Sequence, residues 1–290
     1  MGYEIKTENV SWNEFIEHVR DLPKNEWLFK GLLDEWVLDT TIERQCRKWK
    51  INLKHLPQIE FKLMRDFQRK YPDTAPKPEP KEDYLWWLAL MQHHGAPTRL
   101  LDWTYSPYVA SYFAFEYALL QGNNNSKAAI CAVNRKGWFD IESKSIVEKI
   151  LEDENCEDKD FFRKLQASEP NTFKPLLMKK ERKRPFLCVL NPWRLNQRLA
   201  IQQGVFMIPG DISKPFMENM RGMDGWDNKN NLVKYVVESD IKEIEKVLSE
   251  LYAMNMSRNT LFPGLDGYAA SLNMRIKFFK DLWVPEDSGA

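Results

Sequence analysis

Residues 92 to 107, QHHGAPTRLLDWTYSP, carry the densest set of groups able to do chemistry in this chain. His93 and His94 are adjacent. Neighbours on a helix point about 100° apart, so the pair makes poor joint metal ligands. Either imidazole is suited to act as a general base. The plainer reading makes them the C-terminal residues of a helix, one buried and one exposed, where imidazolium suits the negative helix end. Arg99 and Asp102 stand three apart and form either an internal ion pair across a turn or a free acid beside a site. Thr98 and Thr104 suit backbone capping in the same loop.

Two further stretches have site character. WLFKG, residues 27–31, reads as a short strand closed by a glycine turn. A cation before glycine can face a phosphate with little hindrance, and an ordinary exposed lysine is the alternative. RLAIQQGVFMIPG, residues 198–210, sets Gln202 and Gln203 before a strand that begins near Gly204. Side-chain amides offer both donors and acceptors, which suits a ribose or an amide ligand, or simply a polar helix end.

Other chemistries find no support. The sequence has no GxGxxG, no GxxxxGK[ST] and no GxSxG, so a Rossmann site, a P-loop and a hydrolase elbow are not indicated. Lys plus Arg and Asp plus Glu both total 42, so no net field draws the chain to nucleic acid or an anionic membrane. No apolar run is long enough to span a bilayer, and the N-terminus lacks the apolar core of a secretion signal. Cys46, Cys131, Cys156 and Cys188 are too widely spaced for a zinc ribbon and read as reduced thiols of a cytoplasmic protein.

The elements that must position these groups follow from caps and periodicity. Ser11 to Glu14 has capping-box spacing and opens a helix to about Leu22. Thr40 or Thr41 caps a segment from Ile42 to Lys50, and Pro57 to Tyr71 reads as a helix. PDTAPKPEPKE, residues 72–82, reads as an extended linker within one domain. Asp83 to His93 is a helix stopped at Gly95 and Pro97, and Pro107 opens another. Residues 141–184 read as a charged, surface-lying helical insertion ending in the basic run 179–184. Strands are expected at AAICAVN, PFLCVLNP, GVFMIPG and NLVKYVVES, then an amphipathic helix from 240 and a last helix after LFPGLDG. Mixed element order argues for an α+β fold over residues 1–290.

Together these motifs resemble the FRG domain family, named for its Phe-Arg-Gly signature. WLFKG fits that signature, LMQHHGAPTRLLDWTYSPYVASYFA fits the longest family motif, and RLAIQQGVFMIPG and TLFPGLDG fit the later ones. A more distant resemblance is to ADP-ribosyltransferases, whose aromatic-Arg-Gly, Ser-Thr-Ser and Glu-x-Glu elements occur in the same order. It implies a split β-sheet core of two small sheets with flanking helices and NAD in the cleft between them.

By that resemblance Lys30 would grip the NAD phosphate and Thr104 would bond the nicotinamide ribose. Phe29 or Trp103 would pack on a ring. His94, Asp102 and Gln202 would form a polar floor, and Gly31, His93, Arg99 and Gln203 would surround the cofactor. Two departures stand out. Lys30 replaces the family arginine and cannot make its bidentate fork, either as a native weakening or as an engineered disarming of a toxic protein. Gly204 falls near the usual catalytic Glu, so Asp102, with His93 or His94 as base, is expected to act, Asp266 being a more remote acid.

The implied role is a toxin or anti-phage effector modifying RNA, DNA or protein, with a possible antitoxin partner. The basic stretches 42–54 and 179–184 would suit nucleic acid or form a solvated face. A non-catalytic nucleotide- or partner-binding module, and an NAD glycohydrolase or a nuclease with a His/Asp pair, are the alternatives.

Overall fold

The computed structural model describes residues 5–71, 83–121, 127–153, 158, 160–169, 172, 185–192 and 197–278. Its elements in chain order are β1 (Thr7–Val10), α1 (Trp12–Arg20), β2 (Trp27–Leu33), α2 (Thr41–Lys48), α3 (Leu56–Lys70), α4 (Tyr84–His93) and β3 (Leu101–Thr104). Then follow α5 (Pro107–Gln121), β4 (Ala128–Asn134), α6 (Asp140–Asp153), α7 (Phe161–Gln166), β5 (Leu187–Leu190), α8 (Gln197–Ile201), β6 (Gly204–Pro209) and α9 (Phe216–Arg221). β7 (Leu232–Val237), α10 (Ile241–Ala253), α11 (Arg258–Leu261) and α12 (Leu265–Phe278) complete it.

The fold is mixed α and β. Instead of two small sheets, the strands form one seven-stranded sheet in the order β1-β7-β4-β2-β3-β6-β5. β1 pairs parallel with β7, and every other pairing is antiparallel. β2 and β4 pair along seven residues from Trp27–Asn134 to Leu33–Ala128. β2 and β3 meet at a single pair, Phe29 with Thr104. Continuing that register would set Gly31 opposite Asp102, but the ladder stops first and the strands part.

Helices cover both faces. Alternation along β2 sends Leu28 and Leu32 into a core shared with α3, α4, α6, α7 and α9. Phe29 and Leu33 enter a second core with α1, α5 and α10. β4 is buried on both sides from Ala128 to Val133, as its unbroken apolar run predicts.

The caps expected from sequence form. The Ser11 side chain accepts from the Glu14 amide while the Glu14 carboxylate accepts from the Ser11 amide at 2.7 Å. Thr40 and Asp83 cap α2 and α4. Gly31 differs from expectation: it closes no turn but lies inside β2, with the backbone of α5 pressed on it. A Cβ there would stand 1.9 Å from the Ala110 carbonyl oxygen and 2.7 Å from the Ala114 nitrogen.

The stretch from 141 is not surface-lying where it is described. Ile146, Val147, Leu151, Phe161, Phe162 and Leu165 are buried in the first core, and Ser143 donates to the Leu187 carbonyl at 2.8 Å. Its charges occupy the outward faces of α6 and α7. The linker at 72–82 and the basic run 179–184 lie outside the described residues. Cys46, Cys131 and Cys188 are free and buried. Among the described residues no helix is long and apolar enough to cross a membrane, and no group of three or more His, Cys, Asp or Glu could hold a metal ion.

Glu43 of α2 is buried, accepts from the Phe216 amide at 3.1 Å, and lies near Asp39. Burial, with Asp39 adding, pushes its carboxyl up to about 6. A raised folded-state value means that the stabilising proton is fully held below pH 4.5 and lost as pH rises through about 6. Glu43→Gln is therefore expected to stabilise the chain by about 1–2 kcal/mol at pH 8. The gain should vanish in urea melts below pH 4.5.

Candidate functional site

Where β2 and β3 part, a pocket opens between the sheet, α5 and the C-terminal segment. Its lining includes Phe29, Lys30 and Gly31 from β2, and Asp102, Trp103 and Thr104 from β3. Phe113 and Tyr117 of α5, with Arg198, Gln202 and Phe262, close it. Its enclosed volume is about 90 Å³, below the roughly 300–1,000 Å³ of most small-molecule sites, so a dinucleotide would extend out through its open mouth. Lys30, Thr104 and Gln202, from three distant stretches, thus share one cavity.

Lys30 is half-buried, and its Nζ donates to the Asp102 main-chain carbonyl at 3.0 Å. That bond replaces the ladder contact missing between β2 and β3. Burial pushes the Lys30 ammonium below its ordinary pKa, while the Asp102 charge opposes the shift. The Asp102 carboxylate accepts from Gln92 Nε2 at 2.9 Å on one oxygen. Gln92 Oε1 in turn accepts from Thr98, whose backbone exchanges two hydrogen bonds with Thr41 Oγ1.

Arg99 is not the partner of Asp102. It is 2% exposed and lies in a buried ion pair with Glu60 of α3, its Nε donating at 2.8 and 3.0 Å. Glu60 also accepts from the Arg99 amide at 3.2 Å. Arg99 is a clamp between α3 and β3, outside the pocket lining, which corrects its expected place beside a cofactor.

Thr104 lines the pocket and is partly committed to its own loop. Its hydroxyl donates to the Gln202 carbonyl at 2.6 Å and accepts from the Ser106 amide at 2.9 Å. The hydroxyl keeps one acceptor lone pair with which it could receive a hydrogen bond from a ribose hydroxyl. Gln202 is buried and its Nε2 donates to the Leu261 carbonyl at 2.9 Å. Gln203 is exposed at φ +48°, its carbonyl accepting from the Tyr105 amide, and it does not line the pocket. Trp103 is buried, and its indole nitrogen has no hydrogen-bond partner among the described residues.

The histidines are both exposed, where one was expected inside, because α4 ends there and turns its apolar face, Leu88 and Met91, to the core. Neither lines the pocket. His94 lies against Phe67, and desolvation lowers the pKa of His93, with the charges of His94 and Arg198 adding to it. Asp266 opens α12 and is exposed. Asp102 is the acid in the pocket lining.

Several lining residues escaped the sequence reading. Phe113 and Tyr117 stack at 6.3 Å along one wall. Two guanidinium groups lie over the Phe262 ring, Arg198 at 4.2 Å and Arg258 at 4.8 Å from its centre. Arg258 is held by Glu116, fully buried in α5, through two bonds of 2.8 Å. Tyr112 donates to the same carboxylate at 2.9 Å. Arg198 had a legible signal, since it stands four residues before Gln202 at the spacing that places two helical side chains together.

Residues 25–122 match the family model described as the FRG domain. This chain carries an FRG domain. No curated protein and no solved structure matches the chain. The FRG match spans about a third of the chain. β2, α4, β3 and α5 lie inside it. Arg198, Gln202 and Phe262 close the pocket of the FRG domain from beyond its end.

Proposed function

We propose that the pocket binds NAD as a substrate and that the chain is an ADP-ribosyltransferase-like enzyme acting on a macromolecule. One observation carries the reading. Lys30, Thr104 and Gln202, in the three ordered motifs that the resemblance aligns, line a single cavity with aromatic walls. Such a cavity has the parts the ligand needs: flat apolar faces for a ring, cations for a phosphate and a carboxylate for a developing positive charge.

NAD supplies a ribose–nicotinamide bond whose cleavage leaves positive character on the ribose. Asp102 is the residue placed to stabilise that charge, and Gln92 fixes its orientation. Its separation from Arg99 supports this role, because a carboxylate bound into a buried guanidinium would be neutralised. Phe113 and Tyr117 offer a stacking wall that excludes water, and Gln202 presents an amide within the lining. The histidines stand outside the lining, so the proton of the acceptor goes to Asp102 or to solvent. RNA, DNA and protein acceptors, a toxin or anti-phage role and an antitoxin partner belong to the same proposal, by analogy with the resemblance alone.

The test is label transfer from NAD to a mixture of protein and nucleic acid. Wild type is expected to transfer label, and Asp102→Asn to lose at least about 100-fold in rate while still binding NAD. Free ADP-ribose as the sole product would make the chain a glycohydrolase instead. Saturable binding without turnover would make it a binding module.

A further inference from the structure

We propose that Arg198, rather than Lys30, is the side chain that grips the anionic diphosphate of the ligand. The inference rests on the reading that the pocket takes a dinucleotide, and it assigns the anion subsite within it.

Lys30 stands in the signature position but is poorly placed for the task. Its ammonium already donates to the Asp102 carbonyl and bridges the gap between β2 and β3. Burial also costs its ammonium part of the hydration a charged group prefers, which lowers its pKa. A lysine so held offers a phosphate neither a fork nor a freely turning head.

Arg198 has what Lys30 lacks. It lines the same pocket, is half-buried, and its side chain makes no hydrogen bond or ion pair among the described residues. Its guanidinium lies over the Phe262 ring, a geometry that fixes the plane and leaves the N–H edges open. Arg258, held by the buried Glu116, also lies over the Phe262 ring. Stacking on the ring pre-orients the guanidinium, which reduces the ordering cost of binding. Asp102 faces the same space closely enough to raise the pKa of Arg198 against the lowering by burial. One pocket thus presents a cation for a phosphate and a carboxylate for a ribose cation.

Calorimetric titration of the full chain with NAD, with nicotinamide riboside, which carries no phosphate, and with inorganic pyrophosphate tests the assignment. Arg198→Gln is expected to weaken NAD binding about 10- to 100-fold and to leave nicotinamide riboside within about threefold. Arg198→Lys should recover only part of the loss, because an ammonium lacks the fork. Lys30→Gln, which keeps a donor for the Asp102 carbonyl, should weaken NAD less than Arg198→Gln does. Equal NAD affinity in wild type and Arg198→Gln, or a larger loss at Lys30, overturns the inference while leaving the NAD site intact. Equal losses for NAD and nicotinamide riboside would make Arg198 a support of the pocket wall and overturn it too. If wild type binds no NAD, the functional reading fails. Pyrophosphate binding lost in Arg198→Gln would then still uphold the anion subsite, and its persistence would end it.

Discussion

Gly31→Ala is expected to cost about 3 kcal/mol or more in folding stability, the upper end of what overpacking does to a core. The added methyl would meet the Ala110 carbonyl oxygen at 1.9 Å and the Ala114 nitrogen at 2.7 Å. Both are backbone atoms of α5, so no rotamer change relieves the clash. The helix must lift from β2 or the strand must bend away from β4. Either movement shifts Phe113 and Tyr117 relative to β2, because both line the pocket from α5. The variant should therefore lower the urea midpoint and raise amide exchange along α5 together. An unchanged midpoint would show that α5 and β2 are not in the close contact described.

Glu60→Leu is expected to be the second large effect, at about 3–5 kcal/mol. It leaves the Arg99 guanidinium buried and without its carboxylate partner. It also removes the acceptor of the Arg99 amide, which positions the chain just before β3. The double variant Glu60→Leu/Arg99→Met removes the stranded charge and should recover most of the loss, since buried pairs are often replaceable by apolar groups. Thermal and urea melts of the single and double variants give the coupling directly. A single variant as stable as wild type would mean that water reaches the pair.

Which parts were legible in the sequence follows from the range of the interaction. Ser11, Thr40, Asp83 and Pro107 mark helix starts through bonds or torsions reaching only a few residues, and each helix begins there. The run 128–133 is apolar without a break and is the strand buried on both faces. β3 was hidden, because Leu101-Asp-Trp-Thr104 alternates over only four residues inside a stretch rich in turn signals. Gly31 was read as a turn because a glycine signals permissive backbone locally, whereas its requirement here comes from a helix 79 residues away at Ala110.

The candidate site divides along the same line. Order and spacing brought Lys30, Thr104 and Gln202 to one cavity. Pairings across long separations were not readable. Arg99 looked to Asp102, three residues on, but is taken by Glu60, 39 residues away. Most of the polar density of residues 92–107 turned out to be such clamping. Gln92, Thr98, Arg99 and Ser106 hold the loop, the strand and the start of α5 in place, and Asp102 remains as the acid presented to the pocket.

A crystal structure of the chain with NAD tests the central claim most directly. The account predicts the dinucleotide between Phe29, Asp102, Arg198 and Phe262, with its nicotinamide ribose beside the Asp102 carboxylate and its diphosphate on Arg198. NAD bound elsewhere on the molecule, or an empty pocket at saturating NAD, would contradict it.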